Sequence, residues 1–211
     1  MKNSVNILST KVLTKELSLA IKGAGSGLIQ HDFIEVKSLE LKKISHSTLM
    51  ISSKNAVNNV DFTRKMVFCV GNKTRLAIEN AGGVVTEVFE NSLKMAQVVA
   101  GIEEPATFVC GVLRMKNVEQ EFKNAGLELE IVEAYDTLLK PVKVSEDVDV
   151  AMFYSPSGVG SYFSENTLNG VAVCIGETTE AEAKKYTENT VVASTTTIES
   201  VVNKAIEVIK G

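Results

Sequence analysis

The sequence predicts an α/β chain with two doubly wound parallel sheets, each covered by helices on both faces. Three observations carry that expectation. Apolar runs of strand length alternate with helical patterns along most of the chain. One strand-to-helix phrase occurs twice. The elements of the second sheet fall between the two pieces of the first.

The phrase is clearest in Val171-Ala172-Val173-Cys174-Ile175-Gly176-Glu177-Thr178-Thr179-Glu180-Ala181-Glu182, where an apolar run stops at glycine and passes into strong helix formers. This predicts a buried strand feeding a helix N-terminus, a place where unpaired backbone N–H groups hold anions well. Thr179 and Glu182 have capping-box spacing, so the helix is expected to start at the threonines. Val67-Phe68-Cys69-Val70-Gly71-Asn72-Lys73-Thr74 repeats the turn. Upstream, Leu49–Val57 matches Ala151–Val159, and the separations agree: Ser52 to Gly71 is 19 residues and Ser155 to Gly176 is 21. Gly71 to Ser92 and Gly176 to Thr197 are both 21, and each hydroxyl residue precedes a helical pattern.

Taken in order, residues 5–9 read as a strand, followed by a helix carrying Leu13, Leu17, Ala20 and Ile21 up to the break at Gly23–Gly27. A strand at 28–34 leads into the alternating stretch Phe33–Leu41, an extended crossing into the second domain. Strands near 48–52, 66–70, 84–89, 106–110 and 128–133 then alternate with helices near 54–61, 73–81, 92–101 and 116–125. Residues 133–140 return, ended by Pro141. Strands near 149–154, 171–175 and 190–193 complete the first sheet, and a helix with Ile198, Val201, Val202, Ala205, Ile206 and Ile209 on one face closes the chain behind Thr197 as N-cap. The expected division is therefore residues 1–34 with 141–211, residues 42–132 inserted between them, and linker strands at 35–41 and 133–140. Two such sheets are expected to face each other across a cleft, where ligands favour binding.

Composition removes several functions. The chain is 45% apolar with a net charge of −4 and interleaved acids and bases, which gives no basic face for nucleic acid. It shows no apolar leader and no run long enough for a membrane span, so a cytoplasmic protein is expected. Cys69, Cys110 and Cys174 sit in strand-like runs without a C-x-x-C pair and read as buried thiols; His31 and His46 have no partner at ligand spacing, so no metal site is expected. Neither a P-loop nor a G-x-G-x-x-G turn occurs, which disfavours a nucleotide enzyme. No Ser–His–Asp or Cys–His set is available for covalent catalysis.

The ordered motifs Ser-Ser-Lys-Asn-Ala-Val (52–57), Val-Gly-Asn-Lys-Thr (70–74), Cys-Gly-x-x-Arg (110–114), Ala-Tyr-Asp-Thr around Tyr135, Ser-Pro-Ser-Gly-Val (155–159), Ile-Gly-Glu-Thr-Thr (175–179) and Thr-Ile-Glu-Ser-Val (197–201) resemble the uroporphyrinogen-III synthase family over nearly the whole chain. The resemblance implies two flavodoxin-like domains joined by a two-stranded linker. It also implies a cytoplasmic, monomeric lyase of haem and sirohaem biosynthesis that uses no metal or organic cofactor. Its substrate is hydroxymethylbilane, a linear tetrapyrrole carrying acetates and propionates, closed to uroporphyrinogen III with inversion of ring D and loss of water. Left alone the bilane closes to isomer I, so positioning and electrostatics are most of the task.

The resemblance makes Tyr135 the candidate acid for the departing hydroxyl, since a phenol carries its proton at neutral pH; the alternatives are substrate contact alone or packing in the linker. Thr178 and Thr179 are candidates for propionate contact as well as helix caps, and Thr74 is the matching position in the inserted domain. Ser155, Ser157 and Gly158 are candidates at a strand end where Pro156 pre-sets the turn, with turn chemistry alone as the alternative. Ser53 and Asn55 are their counterparts, or simply a cap and first-turn residue. Gly111 is expected to let the backbone approach substrate. Arg114 either pairs with a carboxylate or is solvated in a first helical turn. Lys11 stands where the family commonly has arginine, and Arg75 where it has a small residue. A two-domain binding protein without catalysis is the rival reading.

Overall fold

The computed structural model describes residues 5–114 and 116–211, so residues 1–4 of the expected first domain lie outside it. The elements of the first piece are β1 (Asn6–Ser9), α1 (Lys15–Gly23) and β2 (Gly27–Gln30). Then follow β3 (Ile34–Ser38), β4 (Thr48–Ile51), β5 (Met66–Val70), α2 (Asn72–Asn80), β6 (Val85–Phe89), α3 (Ser92–Ala100), β7 (Ala106–Gly111), α4 (Asn117–Ala125) and β8 (Leu129–Leu139). The last piece holds β9 (Val150–Phe153), α5 (Pro156–Phe163), β10 (Val171–Cys174), α6 (Glu177–Ala183), β11 (Thr190–Val192) and α7 (Ile198–Lys210). The chain folds into two compact units, one reaching up to Glu35 and resuming at Leu138–Gly211, the other Val36–Thr137.

The first unit holds a five-stranded sheet in the order β11-β10-β9-β1-β2, all parallel. Alternate residues feed two cores. Ile7, Val150, Met152 and Val173 face α1 and α7, while Leu8, Ala151, Phe153, Ala172 and Cys174 face the side of α5 and α6. A strand buried on both faces needs apolar residues in both phases of its alternation, which is why these runs are unbroken in the sequence.

The second unit repeats the layout as β6-β5-β4-β7-β8, with β3 added outside β8. Leu49, Ile51, Val67, Cys69 and Val109 point to one core and Met50, Phe68, Phe108 and Cys110 to the other. Matching β4, β5 and β6 to β9, β10 and β11, as the repeated phrases require, makes the two sheets the same row of strands entered at different points by the chain. In chain order they read 2-1-3-4-5 and 3-2-1-4-5.

Several boundaries differ from the sequence reading. The helix expected at 54–61 is only a 3₁₀ turn, Lys54–Ala56, because the chain turns at Asn58-Asn59 with Asn59 at φ 63°. The strand expected to end at 133 runs on unbroken to Leu139: Leu39 N–H bonds to Ala134 O at 2.9 Å and Lys140 N–H to Phe33 O at 2.8 Å, so β3 and β8 pair in opposite directions and prolong each other. The first-sheet strand expected at 28–34 stops at Gln30, after which Phe33 N–H bonds to Thr10 O. The helix expected at the threonines begins earlier, at Glu177 with Gly176 as N-cap, and Glu182 turns to Lys185 instead of closing a capping box. Asn91 caps α3, its side-chain oxygen accepting from Lys94 N–H at 3.0 Å.

Candidate active site

The candidate residues collect at the carboxyl ends of the strands in each unit, the edge where open α/β sheets bind ligands. In the second unit the geometry centres on β7 and β8. Their pairing runs Val109↔Val132 and Cys110↔Glu133, then slips so that Gly111 faces Tyr135 and Ala134 is the extra residue. Such a bulge changes which side of the strand a residue faces. Alternation from Leu129 and Ile131 would place Tyr135 on their face; instead it packs beside Val132 and Ala134, on the other core.

Gly111 makes room for the ring. A Cβ built there would lie 2.7 Å from Tyr135 Cζ and 2.9 Å from its hydroxyl, and the strands are tied at that point by Val112 N–H to Tyr135 O at 2.9 Å. The close approach expected at Gly111 is thus made by a side chain of the same protein. The phenol is half-buried and its hydroxyl has no hydrogen bond among the described residues.

The other three tyrosines are differently placed. Tyr154 lies 3.1 Å from Ser9 Oγ, whose own proton goes to Lys11 O at 2.6 Å, so Tyr154 is the donor in that pair. Burial pushes its phenol up to about 12. Tyr162 donates to Thr167 O in the core, and burial pushes it to about 12 as well. Tyr186 stacks on Phe163 beyond the end of α6.

The duplicated glycine turns share a layout, though Gly71 has a positive φ and Gly176 is extended. Gly71 and Gly176 are the N-caps of α2 and α6, and Thr74 and Thr179 occupy the same position three residues on, each N–H bonded to its glycine's carbonyl at 3.1 and 3.0 Å. Both threonines are buried, and neither hydroxyl has a hydrogen-bond partner among the described residues, whereas Thr178 is exposed. Helix capping, expected for Thr178 and Thr179, is supplied by main chain alone. Gly71 needs its φ of 76°, which other residues adopt at a cost.

Ser155 caps α5, accepting from Gly158 N–H at 3.1 Å behind Pro156 at the first helical turn. Ser157 is half-buried in the same turn. Gly158 is hemmed by Ser155 Oγ and by Thr10 Oγ1, which would lie 3.3 and 3.7 Å from an added Cβ. Thr10, anchored to Met152 O at 2.7 Å, lies beside this turn although the motifs do not mark it; its signal is a hydroxyl residue directly after β1. Ser53 caps the 3₁₀ turn, accepting from Asn55 N–H at 3.2 Å, as the local reading of both residues expects. At the end of β11, Ser194, Thr195, Thr197 and Ser200 line a cavity of about 370 Å³. A larger cavity of about 480 Å³ lies at the opposite, amino edge of the sheet and holds none of the candidates.

Arg114 is neither solvated nor open to a ligand. It is 14% exposed and gripped by Glu119 and Glu133, each at 2.8 Å. Arg75 pairs with Glu79 one helical turn on, at 2.9 Å, and Lys11 is exposed. Burial pushes the thiol of Cys69 up to about 11 and those of Cys110 and Cys174 up to about 12, so none offers a thiolate at neutral pH. Among the described residues no group of three or more acidic, histidine or cysteine side chains is placed to hold a metal ion, and no helix is long and apolar enough to cross a membrane.

The family model for uroporphyrinogen-III synthase HemD matches residues 30–203. The chain belongs to the uroporphyrinogen-III synthase family. No curated protein sequence matches it. Among solved structures it is similar to the uroporphyrinogen-III synthetase of Helicobacter pylori, with a TM-score of 0.70 at 13% identity over 96% of this chain and 99% of that one. It is similar also to a mutant uroporphyrinogen III synthase of Thermus thermophilus, with a TM-score of 0.72 at 11% identity over 98% of this chain and 99% of that one. Identities this low speak to the fold, which is mixed α/β with parallel sheets. A uroporphyrinogen-III synthase is a cyclising lyase of tetrapyrrole biosynthesis, and that is the activity of this chain.

Proposed function

We propose that hydroxymethylbilane is gripped by donors at the carboxyl ends of the strands and that Tyr135 is the acid that releases its hydroxyl. The observation that carries this reading is the phenol of Tyr135: turned by a bulge, seated over a glycine, and hydrogen-bonded to nothing among the described residues. A hydroxyl held in place and left unpaired is available to a ligand.

The chemistry follows from that group. Tyr135 gives its proton to the hydroxymethyl oxygen as the C–O bond breaks, water departs, and the bilane becomes a cationic azafulvene facing a phenolate. The substituted α-carbon of ring D attacks the azafulvene to form a spiro centre. The bond from that carbon to its original methylene bridge breaks to leave a second azafulvene, and the free α-carbon of ring D closes on that bridge and surrenders the proton that restores the phenol. Net loss is one water. The chain must hold the two bilane ends together faster than they close unaided, so most of the gain is in orientation.

The carboxylates of the substrate are assigned to donors at the strand ends: the hydroxyls of Thr74 and Thr179, Thr178, and the turns at Ser53, Asn55, Ser155, Ser157 and Gly158. Each charge-assisted bond is worth about 1.5–3 kcal/mol. Such donors suit a polyacid, because a protein of net charge −4 has to grip it locally. Gly111 serves the site by seating Tyr135. In this reading both units are variants of one doubly wound, flavodoxin-like layout, residues 42–132 being inserted between 1–34 and 141–211 with β3 and the end of β8 as the linker. The working form is a cytoplasmic monomer.

Tyr135→Phe tests the assignment. General acid catalysis contributes about 10²–10⁴-fold, so single-turnover conversion is expected to slow by about 10²-fold or more with an unchanged melting temperature. Wild-type turnover in this variant would remove Tyr135 as the acid.

A further inference from the structure

We infer that Arg114 is a positioning residue for Tyr135, acting through Glu133; the inference rests on the reading of Tyr135 as the acid. The bulge at Ala134 frees the strand from its regular ladder just before the tyrosine, so ladder hydrogen bonds alone do not set the rotation of that segment. Arg114 supplies the missing restraint. Its Nη1 donates to Glu133 Oε1 at 2.8 Å, one residue before the bulge, and its Nε and Nη2 donate to Glu119 Oε1 on α4 at 3.1 and 2.8 Å.

The restraint closes a ring. Nη1 also reaches Val112 O at 3.4 Å, and Val112 N–H holds Tyr135 O at 2.9 Å, so side chain and main chain bracket the bulge from both ends. A planar guanidinium satisfies two carboxylates in fixed directions, which a lysine ammonium does not. Glu119 Oε2 is buried without a partner, so Glu119 depends on Arg114 for its compensation. Glu133 is different: its side chain is 44% exposed, so altering it should disturb the clamp without burying an orphan charge.

The test is a kinetic double-mutant cycle on the full chain. Arg114→Met and Glu133→Gln are each measured alone and combined with Tyr135→Phe, with kcat, KM and melting temperature recorded. With the tyrosine present, each substitution is expected to lower kcat by about tenfold and leave KM within about twofold; in the Tyr135→Phe background the same changes should alter kcat by less than about twofold. Equal factors in the two backgrounds, or an effect confined to KM, would overturn the inference while leaving Tyr135 as the acid. Wild-type kcat for Tyr135→Phe alone would remove the acid reading, and this inference with it. Should Arg114→Met fail to fold, Glu133→Gln alone decides the cycle.

Discussion

Replacing Gly111 by alanine is expected to slow turnover about as far as Tyr135→Phe, roughly 10²-fold, while leaving the melting temperature nearly unchanged. The new Cβ would fall 2.7 Å from Cζ and 2.8 Å from Cε2 of Tyr135, so methyl and ring cannot share the space. Two responses are open. Moving β7 away from β8 would strain the ladder and cost about 1–3 kcal/mol. Swinging the far end of a half-buried ring about its side-chain torsions costs less, so the ring moves and the strand stays. The loss therefore appears in catalysis, measured as kcat beside a thermal melt. A variant with native kcat would show that the seated ring position is irrelevant to the reaction.

Gly170→Ala should do the opposite. Here the added carbon would meet main chain: Asp149 O at 2.0 Å, its carbonyl carbon at 2.4 Å and its Cα at 2.9 Å. No torsion of a side chain relieves that overlap. The start of β10 must shift, weakening the Val171 N–H bond to Asp149 O and the pairing of Val171 with Val150. Overpacking and one impaired backbone bond together amount to about 2–4 kcal/mol. For a chain of this size that lowers the melting temperature by about 5–15 °C. Gly170 lies at the amino edge of its sheet, away from the candidates, so kcat per folded molecule should hold. Calorimetry of the unit's unfolding, with kcat measured well below the transition, checks both halves.

The strands were legible because burial on both faces leaves a plain signature, as in Val171–Cys174 and Val67–Val70. The duplication was legible too, since Gly71 with Thr74 and Gly176 with Thr179 occupy the same turn in two sheets. What escaped depended on a partner strand or on competition among caps. The bulge at Ala134 exists only against β7, so Tyr135 could be named but not aimed. Gly111 was expected to admit substrate, whereas a ring from the neighbouring strand takes the space. Thr179 and Glu182 had capping spacing, yet the carbonyl of Gly176 collects the first N–H groups and makes the hydroxyl superfluous there. Asn59 in the left-handed region ended a helix whose hydrophobic pattern ran on. For Arg114 the sequence leaves a carboxylate partner and solvation both open, and Glu133 could not be named as a partner because it lies 19 residues away and only the folded sheet brings it near.

The most direct measurement is the identity of the porphyrin that leaves the enzyme. Freshly generated hydroxymethylbilane is mixed with the purified wild-type chain, the product is oxidised, and the isomers are separated by chromatography. A binding surface that holds the bilane ends for the spiro route predicts isomer III in excess over the no-enzyme control. Isomer I alone, at the rate of the control, would contradict it.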